Sequence, residues 1–268
     1  MSGFVAAAEE AIPSPTAPLT ETCDPDAPRV ITDVTTTTAP TLDLATTARI
    51  QQTLADHDRL PSMQFMDAGY VDAELLVTRA REHQVTICGP VMADTSWQAR
   101  AGTGYAAKDF QIDWAAEHAT CPHGQVSSGW KTRQDGDGNA VVKIAFRAST
   151  CAACPARSQC TRAVTAGREV TVRTEAEHTA LQAARGQQVT AEFWKRYAAR
   201  AGIEGTHTQG ERRCGLRGAR YIGTAKTHLQ HLLIATALNV IRVVAWLLET
   251  PLARTRRSQF AALAPSSA

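Results

Sequence analysis

Two carboxylates stand at positions where a protein could use them for chemistry. Asp67 directly follows a short apolar stretch and precedes a glycine, so it falls at the end of a strand, where α/β proteins build their sites. Glu204 lies between Gly202 and Gly205, and each glycine weakens a helix by about 1 kcal/mol relative to alanine. A helix weakened on both sides of a carboxylate indicates close approach of backbone or ligand. The local alternatives are a turn or N-cap role for Asp67, which local grounds favour, and a surface ion pair of Glu204 with Arg200.

A third candidate feature is the segment from residue 191 to residue 204. Phe193, Tyr197, Arg200 and Glu204 are spaced four, three and four apart, which places them on one face of a continuous helix. The two aromatic residues suit a stripe that faces the core. The sequence therefore predicts one helix over 191–203 that carries an arginine and a carboxylate together.

Basic residues concentrate in the last third of the chain. The net charge is only +2, but residues 1–66 hold nine acidic and three basic side chains, and residues 192–268 hold four acidic and twelve basic ones. The segment 211–220 has the sequence ERRCGLRGAR, with four arginines among glycines, which suits phosphate contact from a flexible loop. This asymmetry favours nucleic acid as the partner; a solvated basic face is the alternative.

Four of the seven cysteines form a spaced group. Cys151, Cys154 and Cys160 follow the pattern C-x2-C-x5-C, and Cys121 precedes them by thirty positions. Four thiolates could hold structural Zn²⁺ tetrahedrally. Reduced free thiols in a compact loop are the alternative, and a disulfide scaffold is not expected in a chain of 268 residues without an export signal.

The elements that must position these residues begin with an alternating pattern. Strands predicted at 29–38, 63–66 and 85–91 are separated by amphipathic helices at 43–58, with Asp43 as its N-cap, and at 71–83. This order indicates an α/β fold with a partly parallel sheet and crossover helices.

The rest of the chain has a different predicted secondary-structure pattern. Residues 92–190 predict a strand-rich insertion, with strands at 140–146 and 169–172, and a long helix is predicted at 226–248. Residues 1–18 are expected to be a disordered lead and 251–268 a flexible tail. The longest apolar run, 232–248, is interrupted by Asn239 and Arg242 and is expected to be too short to span a bilayer comfortably. With no basic residue before Arg29, a soluble, non-exported protein is expected.

Several motifs in one order resemble bacterial insertion-sequence transposases of the DDE type. They are Asp67-Ala-Gly-Tyr with the helix VDAELLVTRA, then GPVMADTSWQAR, DFQIDW, Tyr197-x2-Arg200-x3-Glu204 and RAGIEGTHTQGERRCGLRGARYIGTAKTHLQHLL. The resemblance runs from about residue 19 to residue 248. It implies an RNase H-like mixed sheet of the retroviral-integrase type. In that fold, 19–91 form the N-terminal part, 92–190 the insertion with the candidate zinc cluster, and 191–250 the C-terminal helical part.

The resemblance also implies roles for individual residues. Asp67 would be the second catalytic Asp and Glu204 the catalytic Glu, and both would hold Mg²⁺ or Mn²⁺ for DNA cleavage and strand transfer at the element ends. The family's usual lysine seven positions after that Glu is Glu211 here, and Arg212 or Arg213 would take over its DNA contact. The DNA-contacting set would be Tyr197, Arg200, Arg212, Arg213, Arg217, Arg220 and Lys226. The implied partners are insertion-sequence ends and target DNA in the cytoplasm at the nucleoid, with no membrane; a homo-oligomer is left open.

The first catalytic Asp of the family has no counterpart in this sequence. In the family it lies upstream of the LTETC segment, which is residues 19–23 here, and only 18 unrelated-looking residues precede that segment. Asp24 and Asp26 fall in a turn, and Asp33 falls on a strand that already has its place. We therefore expect an N-terminally truncated transposase with an incomplete sheet, catalytically incompetent on its own. The alternative is a non-catalytic DNA-binding remnant, or a regulator of an intact transposase.

Overall fold

A computed structural model describes residues 16–38 and 43–251. The chain divides into two compact units, the first made of Met1–Pro40 with Gly202–Ala268 and the second of Thr41–Ala201. Short 3-10 turns at Ala68–Tyr70, Ala107–Asp109 and Ala198–Ala201 lie between longer elements. In chain order these are β1 (Leu19–Glu21), β2 (Ile31–Val34), α1 (Asp43–Asp56), β3 (Met63–Phe65), α2 (Ala73–Glu82), β4 (Thr86–Cys88), α3 (Trp97–Ala101), β5 (Gln111–Asp113), β6 (His118–Thr120), β7 (Gly129–Gln134), β8 (Ala140–Ala145), α4 (Ala148–Ala152), α5 (Arg157–Cys160), β9 (Glu169–Arg173), α6 (Glu175–Gln188), α7 (Ala191–Tyr197), α8 (Gly202–Cys214) and α9 (Thr224–Leu247).

The first unit is a β-hairpin packed against two helices. β1 pairs antiparallel with β2, and α9 lies on β2 through a core of Ile31, Leu216, Ile234, Ala235 and Leu238. The Asn239 side chain accepts a hydrogen bond from the Ile31 N–H at 2.7 Å and donates one to the Ile31 carbonyl at 2.9 Å. One of the two polar interruptions of the apolar run thus fixes the backbone of the hairpin.

The buried His231 is expected to make the first unit less stable in acid. Its ring lies 1% exposed on α9 with Nδ1 2.8 Å from Thr36 Oγ1, and burial, followed by the nearby His228, lowers its pKa. An unfolded histidine titrates near pH 6.5, so this contribution to stability is complete above about that pH and is lost as pH falls through the lower folded pKa. We expect His231→Gln to lose less unfolding free energy than the wild type between about pH 7 and about pH 5.5, measured by urea unfolding. The exposed His57→Gln is the control, and an equal acid loss in His231→Gln would contradict the prediction.

The second unit begins with the parallel pair that the sequence predicts. β3 and β4 are parallel, with Met63 opposite Thr86, and α2 forms the crossover. The Asp72 side chain caps α2 by accepting from the Leu75 N–H at 2.7 Å. The core here consists of Met66, Val71, Leu75 and Val91, with Leu181 and Ala184 of α6 packed against it.

Residues 92–190, the predicted insertion, hold the five strands β5 to β9. β5 pairs with β6, and β7, β8 and β9 form an antiparallel three-stranded sheet. Alternate residues of β8 and β9 face one core, whose members are Phe110, Ala119, Val142, Ile144, Phe146, Val170 and Val172. The strands predicted at 140–146 and 169–172 are confirmed, whereas β7 and the 14-residue α6 were not predicted.

The mixed α/β class is confirmed, and some boundaries need correction. Among the described residues the strands form four separate small sheets, so the single RNase H-like sheet stays a prediction. Residues 16–18 are not part of a disordered lead, because Thr16 and Thr37 exchange two backbone hydrogen bonds at 2.8 and 3.1 Å; residues 1–15, the Asp43 side chain and the predicted tail beyond 251 lie outside the described residues. The helices predicted at 43–58, 71–83 and 226–248 are confirmed within two residues.

One expectation about α9 is wrong. Within the described part of the chain, this 24-residue helix is long and apolar enough to cross a membrane by length and composition alone, although the run 232–248 is expected to be too short. Core helices of soluble proteins meet the same test. Six residues of α9 are buried in the first unit: Thr227, Gln230, His231, Ile234, Ala235 and Leu238.

Candidate functional site

Asp67 follows β3, at the end of the parallel pair, with both carboxylate oxygens engaged. Oδ1 accepts from the Ala68 N–H at 2.9 Å, which caps the 3-10 turn. Oδ2 lies 3.0 Å from Arg200 Nη2, and the Tyr197 hydroxyl also donates to this carboxylate. The Asp67 side chain is 53% exposed, so the ion pair contributes only about 0–1 kcal/mol. The local N-cap interpretation is confirmed. The structure adds Tyr197 and Arg200 as partners of the Asp67 carboxylate.

An aromatic cluster holds Tyr197 in place. The α7 helix begins at Thr190, whose hydroxyl accepts from the Phe193 N–H at 3.2 Å. Phe193 is buried, stacks on Tyr197 at 5.7 Å and meets Trp194 edge-on at 5.2 Å. Burial raises the pKa of the Tyr197 phenol above its ordinary value, so this hydroxyl stays a hydrogen-bond donor near neutral pH.

The prediction of one α-helix over 191–203 is wrong. Tyr197 ends α7, Arg200 lies in the 3-10 turn, and Glu204 is exposed in the first turn of α8, which belongs to the first unit. The break falls at Gly202, where an added Cβ would lie 2.4 Å from Arg29 Nη1. The atoms that approach this glycine belong to the side chains of Arg29 and Glu21, whereas the sequence predicted another backbone or a ligand. At Gly205, a Cβ would meet nothing within 4 Å.

A buried polar cluster, which the sequence analysis missed, supports the helix that carries Glu204. Arg242 of α9 lies 2.9 Å from Glu21 Oε2 of β1, and the two side chains are 16% and 7% exposed. Thr206 of α8 donates to the same carboxylate and is bonded by Arg242 Nη2 at 2.6 Å. Arg242 Nε also donates to Gln209 Oε1 at 3.1 Å. The signal was present in the sequence, since Arg242 interrupts an apolar helical run and such a charge needs a buried partner.

The two candidate metal-binding carboxylates, Asp67 and Glu204, lie in different units. Carboxylate oxygen is the donor that Mg²⁺ prefers, and both Asp67 and Glu204 supply it. However, no three His, Cys, Asp or Glu side chains within 16–38 and 43–251 are placed so that they could hold a metal ion. Asp67 is instead paired with Arg200, and Asp33 accepts from the Thr35 hydroxyl at 2.9 Å.

Five of the seven predicted DNA-contacting residues are exposed on the first unit, whereas Tyr197 and Arg200 are half-buried in the second unit. Arg212 and Arg213 lie in the last turn of α8 rather than in a flexible loop, which corrects the sequence prediction. The loop itself is held by side chains, because Glu211 accepts from the Arg217 N–H at 2.9 Å and Gln230 accepts from the Arg220 N–H at 3.0 Å. The exposed basic residues of this surface, which we call the basic segment, are Arg212, Arg213, Arg217, Arg220 and Lys226.

The four spaced cysteines come together in the second unit. Cys121, Cys151, Cys154 and Cys160 are free thiols that line one cavity. Burial raises the pKa of the Cys160 thiol, the Arg168 guanidinium lowers it, and the other three cysteines raise it again. The group predicted from spacing is therefore a spatial cluster.

The comparison with protein families supports the assignment drawn from the motifs. Residues 120–244 match the family described as transposase DDE domain. The match contains Tyr197, Arg200, Glu204, the basic segment and the four cysteines; Asp67 lies before it. None of the curated proteins and none of the solved structures matches the chain significantly. The match supports the resemblance of this chain to DDE-type transposases over residues 120–244.

Proposed function

We propose that this protein acts in DNA transposition as a DDE-type transposase chain that holds DNA through its basic segment. The observation that carries the proposal is the transposase DDE domain match over 120–244, which spans the basic segment and Glu204. DNA ends of an insertion sequence and target DNA are the proposed partners, and the proposed location is the cytoplasm at the nucleoid. Glu204 and Asp67 are the proposed metal-binding carboxylates of the family's divalent-metal-dependent reaction.

We further propose that this chain does not cleave DNA on its own. The family reaction uses divalent ions held by acidic side chains, but no third acid accompanies Asp67 in an ion-holding group among the described residues. The guanidinium of Arg200 occupies one Asp67 oxygen instead. This arrangement supports DNA binding without turnover by the isolated chain.

Removing two arginines of the basic segment is expected to weaken DNA binding and its dependence on salt. Each phosphate contact adds about 0.9 to the slope of log affinity against log salt concentration for duplex DNA. The variant Arg217→Ala with Arg220→Ala should therefore show a slope shallower by about 2. Fluorescence anisotropy with a labelled element-end duplex over a salt series measures this slope.

A matched pair of charges elsewhere provides the control. Lys131 and Arg133 are exposed on β7 in the second unit, and their replacement by alanine removes the same charge without touching the basic segment. This control should keep the wild-type slope. Equal slopes in all three proteins would contradict the DNA-binding role of the basic segment.

The lack of cleavage has its own test. The chain is incubated with supercoiled plasmid carrying the element ends and Mg²⁺, and no nicking is expected. Nicking that disappears in Asp67→Ala would overturn the proposed inactivity while supporting the role of that carboxylate.

The second candidate is a regulator of an intact transposase. The pairing of Asp67 with Arg200 favours it, because a chain that binds ends without cutting competes for them. Added to an intact transposase, such a chain would reduce strand transfer in proportion to its concentration, and the variant Arg217→Ala with Arg220→Ala would reduce it less.

A further inference from the structure

The four-cysteine cluster belongs to the core of the insertion rather than to the proposed DNA surface. Cys121 follows β6, Cys151 lies in α4, Cys154 follows α4, and Cys160 ends α5. Three of them pack against the core that β8 and β9 build. The cavity that all four line has a volume of about 30 Å³, which is room for about two water-sized spheres. The cavity therefore has room for an ion.

Tight backbone turns hold these cysteines in place. Gly124, with φ +76°, donates its N–H to the Cys121 carbonyl at 2.8 Å. The Cys154 N–H donates to the Cys151 carbonyl at 3.3 Å. The Arg168 backbone N–H donates to Cys151 Sγ at 3.4 Å.

Two arginine side chains at the same cavity have buried donors without an acceptor. In the part of the chain that the structure describes, Arg157 Nη1 and Arg168 Nε are buried and have no hydrogen-bond partner, and both residues line the cavity. Arg157 is fixed there by its Nη2, which donates to three carbonyls of the loop at 163–166. Buried donors without partners are costly and rare, so a negative charge nearby would stabilise these two side chains.

We propose that Cys121, Cys151, Cys154 and Cys160 bind one structural zinc ion as a tetrathiolate. Binding releases the four thiol protons, so that Zn²⁺ with four thiolates forms a centre of net charge −2. This centre places negative charge at the cavity that both arginines line. No three potential ligands in 16–38 or 43–251 are yet placed to hold an ion, so zinc must draw the thiols together to Zn–S distances of about 2.3 Å.

His123 is the competing ligand that the geometry disfavours. It lines the same cavity, but its Nε2 lies 3.3 Å from the Tyr105 hydroxyl and its ring meets the Tyr105 ring edge-on at 5.6 Å. We assign it no bond to zinc, and this choice separates a four-cysteine site from a three-cysteine, one-histidine site.

The test uses the full chain expressed with zinc and analysed for metal. We expect about one zinc per chain, retained in His123→Ala and in Cys214→Ser and lost in Cys154→Ser. Replacement of zinc by Co²⁺ should give the intense visible bands and sulfur-to-cobalt charge transfer of a tetrahedral thiolate site. Because Cys154→Ser can fail to fold, thiol alkylation of the wild-type chain followed by peptide mass spectrometry provides a second readout.

In that second readout, zinc should protect all four cluster thiols while Cys23 and Cys214 react, and chelation should abolish the protection. A zinc-free chain whose cluster thiols are alkylated as fast as Cys214 would overturn the proposal. A disulfide within the cluster, or loss of the metal in His123→Ala, would overturn it as well.

Discussion

Replacing Arg242 by methionine is expected to lower the free energy of unfolding of the first unit by about 3–5 kcal/mol, because it leaves the Glu21 carboxylate buried without a counter-ion. The Glu21 side chain is only 7% exposed, and its Oε2 lies 2.9 Å from Arg242 Nη1. Methionine keeps an unbranched stem, so little packing is lost. Hydrogen exchange of the α8 and α9 amides, followed by mass spectrometry, measures the opening free energy of these helices.

Two control variants separate the buried charge from general damage to α9. The double variant Glu21→Met with Arg242→Met carries no unpaired charge and should recover most of the loss. Arg213→Met removes an exposed arginine from the last turn of α8 and should change stability by no more than about 0.5 kcal/mol. A double variant as unstable as Arg242→Met alone would refute the ion-pair explanation.

Elements whose signals are local could be predicted from the sequence. The apolar stretches that form β3 and β4, with an amphipathic α2 between them, predict a parallel pair, and the structure contains it. Spacing along the chain likewise predicts that Cys151, Cys154 and Cys160 come together, because only a few residues separate them. Cys121 is thirty positions away from this group, and it was predicted to join the group because a tetrahedral zinc site needs a fourth ligand. The structure places Cys121 at the same cavity as the other three cysteines.

Features that depend on distant residues could not be predicted. The helix expected over 191–203 is divided by the 3-10 turn at Ala198–Ala201, and the side chain of Arg29, far away in sequence, lies beside Gly202. The spacing of apolar residues along the chain gives no information about a contact between residues so far apart in sequence. For the same reason the sequence pairs Arg200 with Glu204 as neighbours on a helix, whereas the folded chain also brings Arg200 to Asp67.

In the cluster of Glu21, Thr206 and Arg242, one residue has an unusual sequence context that indicates a buried contact. Glu21 and Thr206 are ordinary residues in their local contexts, and only Arg242 is out of place among apolar neighbours. In the structure, both polar interruptions of that run, Asn239 and Arg242, bind the β1–β2 hairpin. A polar residue inside an apolar helix therefore predicts a buried partner, although not which one.

Gly167→Ala is expected to lower the free energy of unfolding of the second unit by about 3 kcal/mol, the upper end of the cost of overpacking. An added Cβ would lie 1.9 Å from the Phe146 carbonyl oxygen and 3.0 Å from the Arg147 carbonyl carbon. These are backbone atoms, and the Phe146 N–H donates to the Arg168 carbonyl at 2.9 Å. Because this hydrogen bond ties the two backbone segments together, moving either one away from the added Cβ costs free energy. Urea unfolding followed by tryptophan fluorescence measures the effect.

The matched control is a glycine-to-alanine substitution at a position where the added Cβ has free space around it. An added Cβ at Gly136, in the turn between β7 and β8, would meet nothing within 4 Å, and Gly136→Ala should change stability by less than about 1 kcal/mol. In Gly167→Ala the loop must move away from Phe146, and the Arg168 N–H that reaches Cys151 Sγ moves with it. The variant should therefore also expose the Cys151 thiol to alkylation faster than Gly136→Ala does. Equal stability and equal Cys151 reactivity in the two variants would show that the chain relaxes around residue 167 without cost.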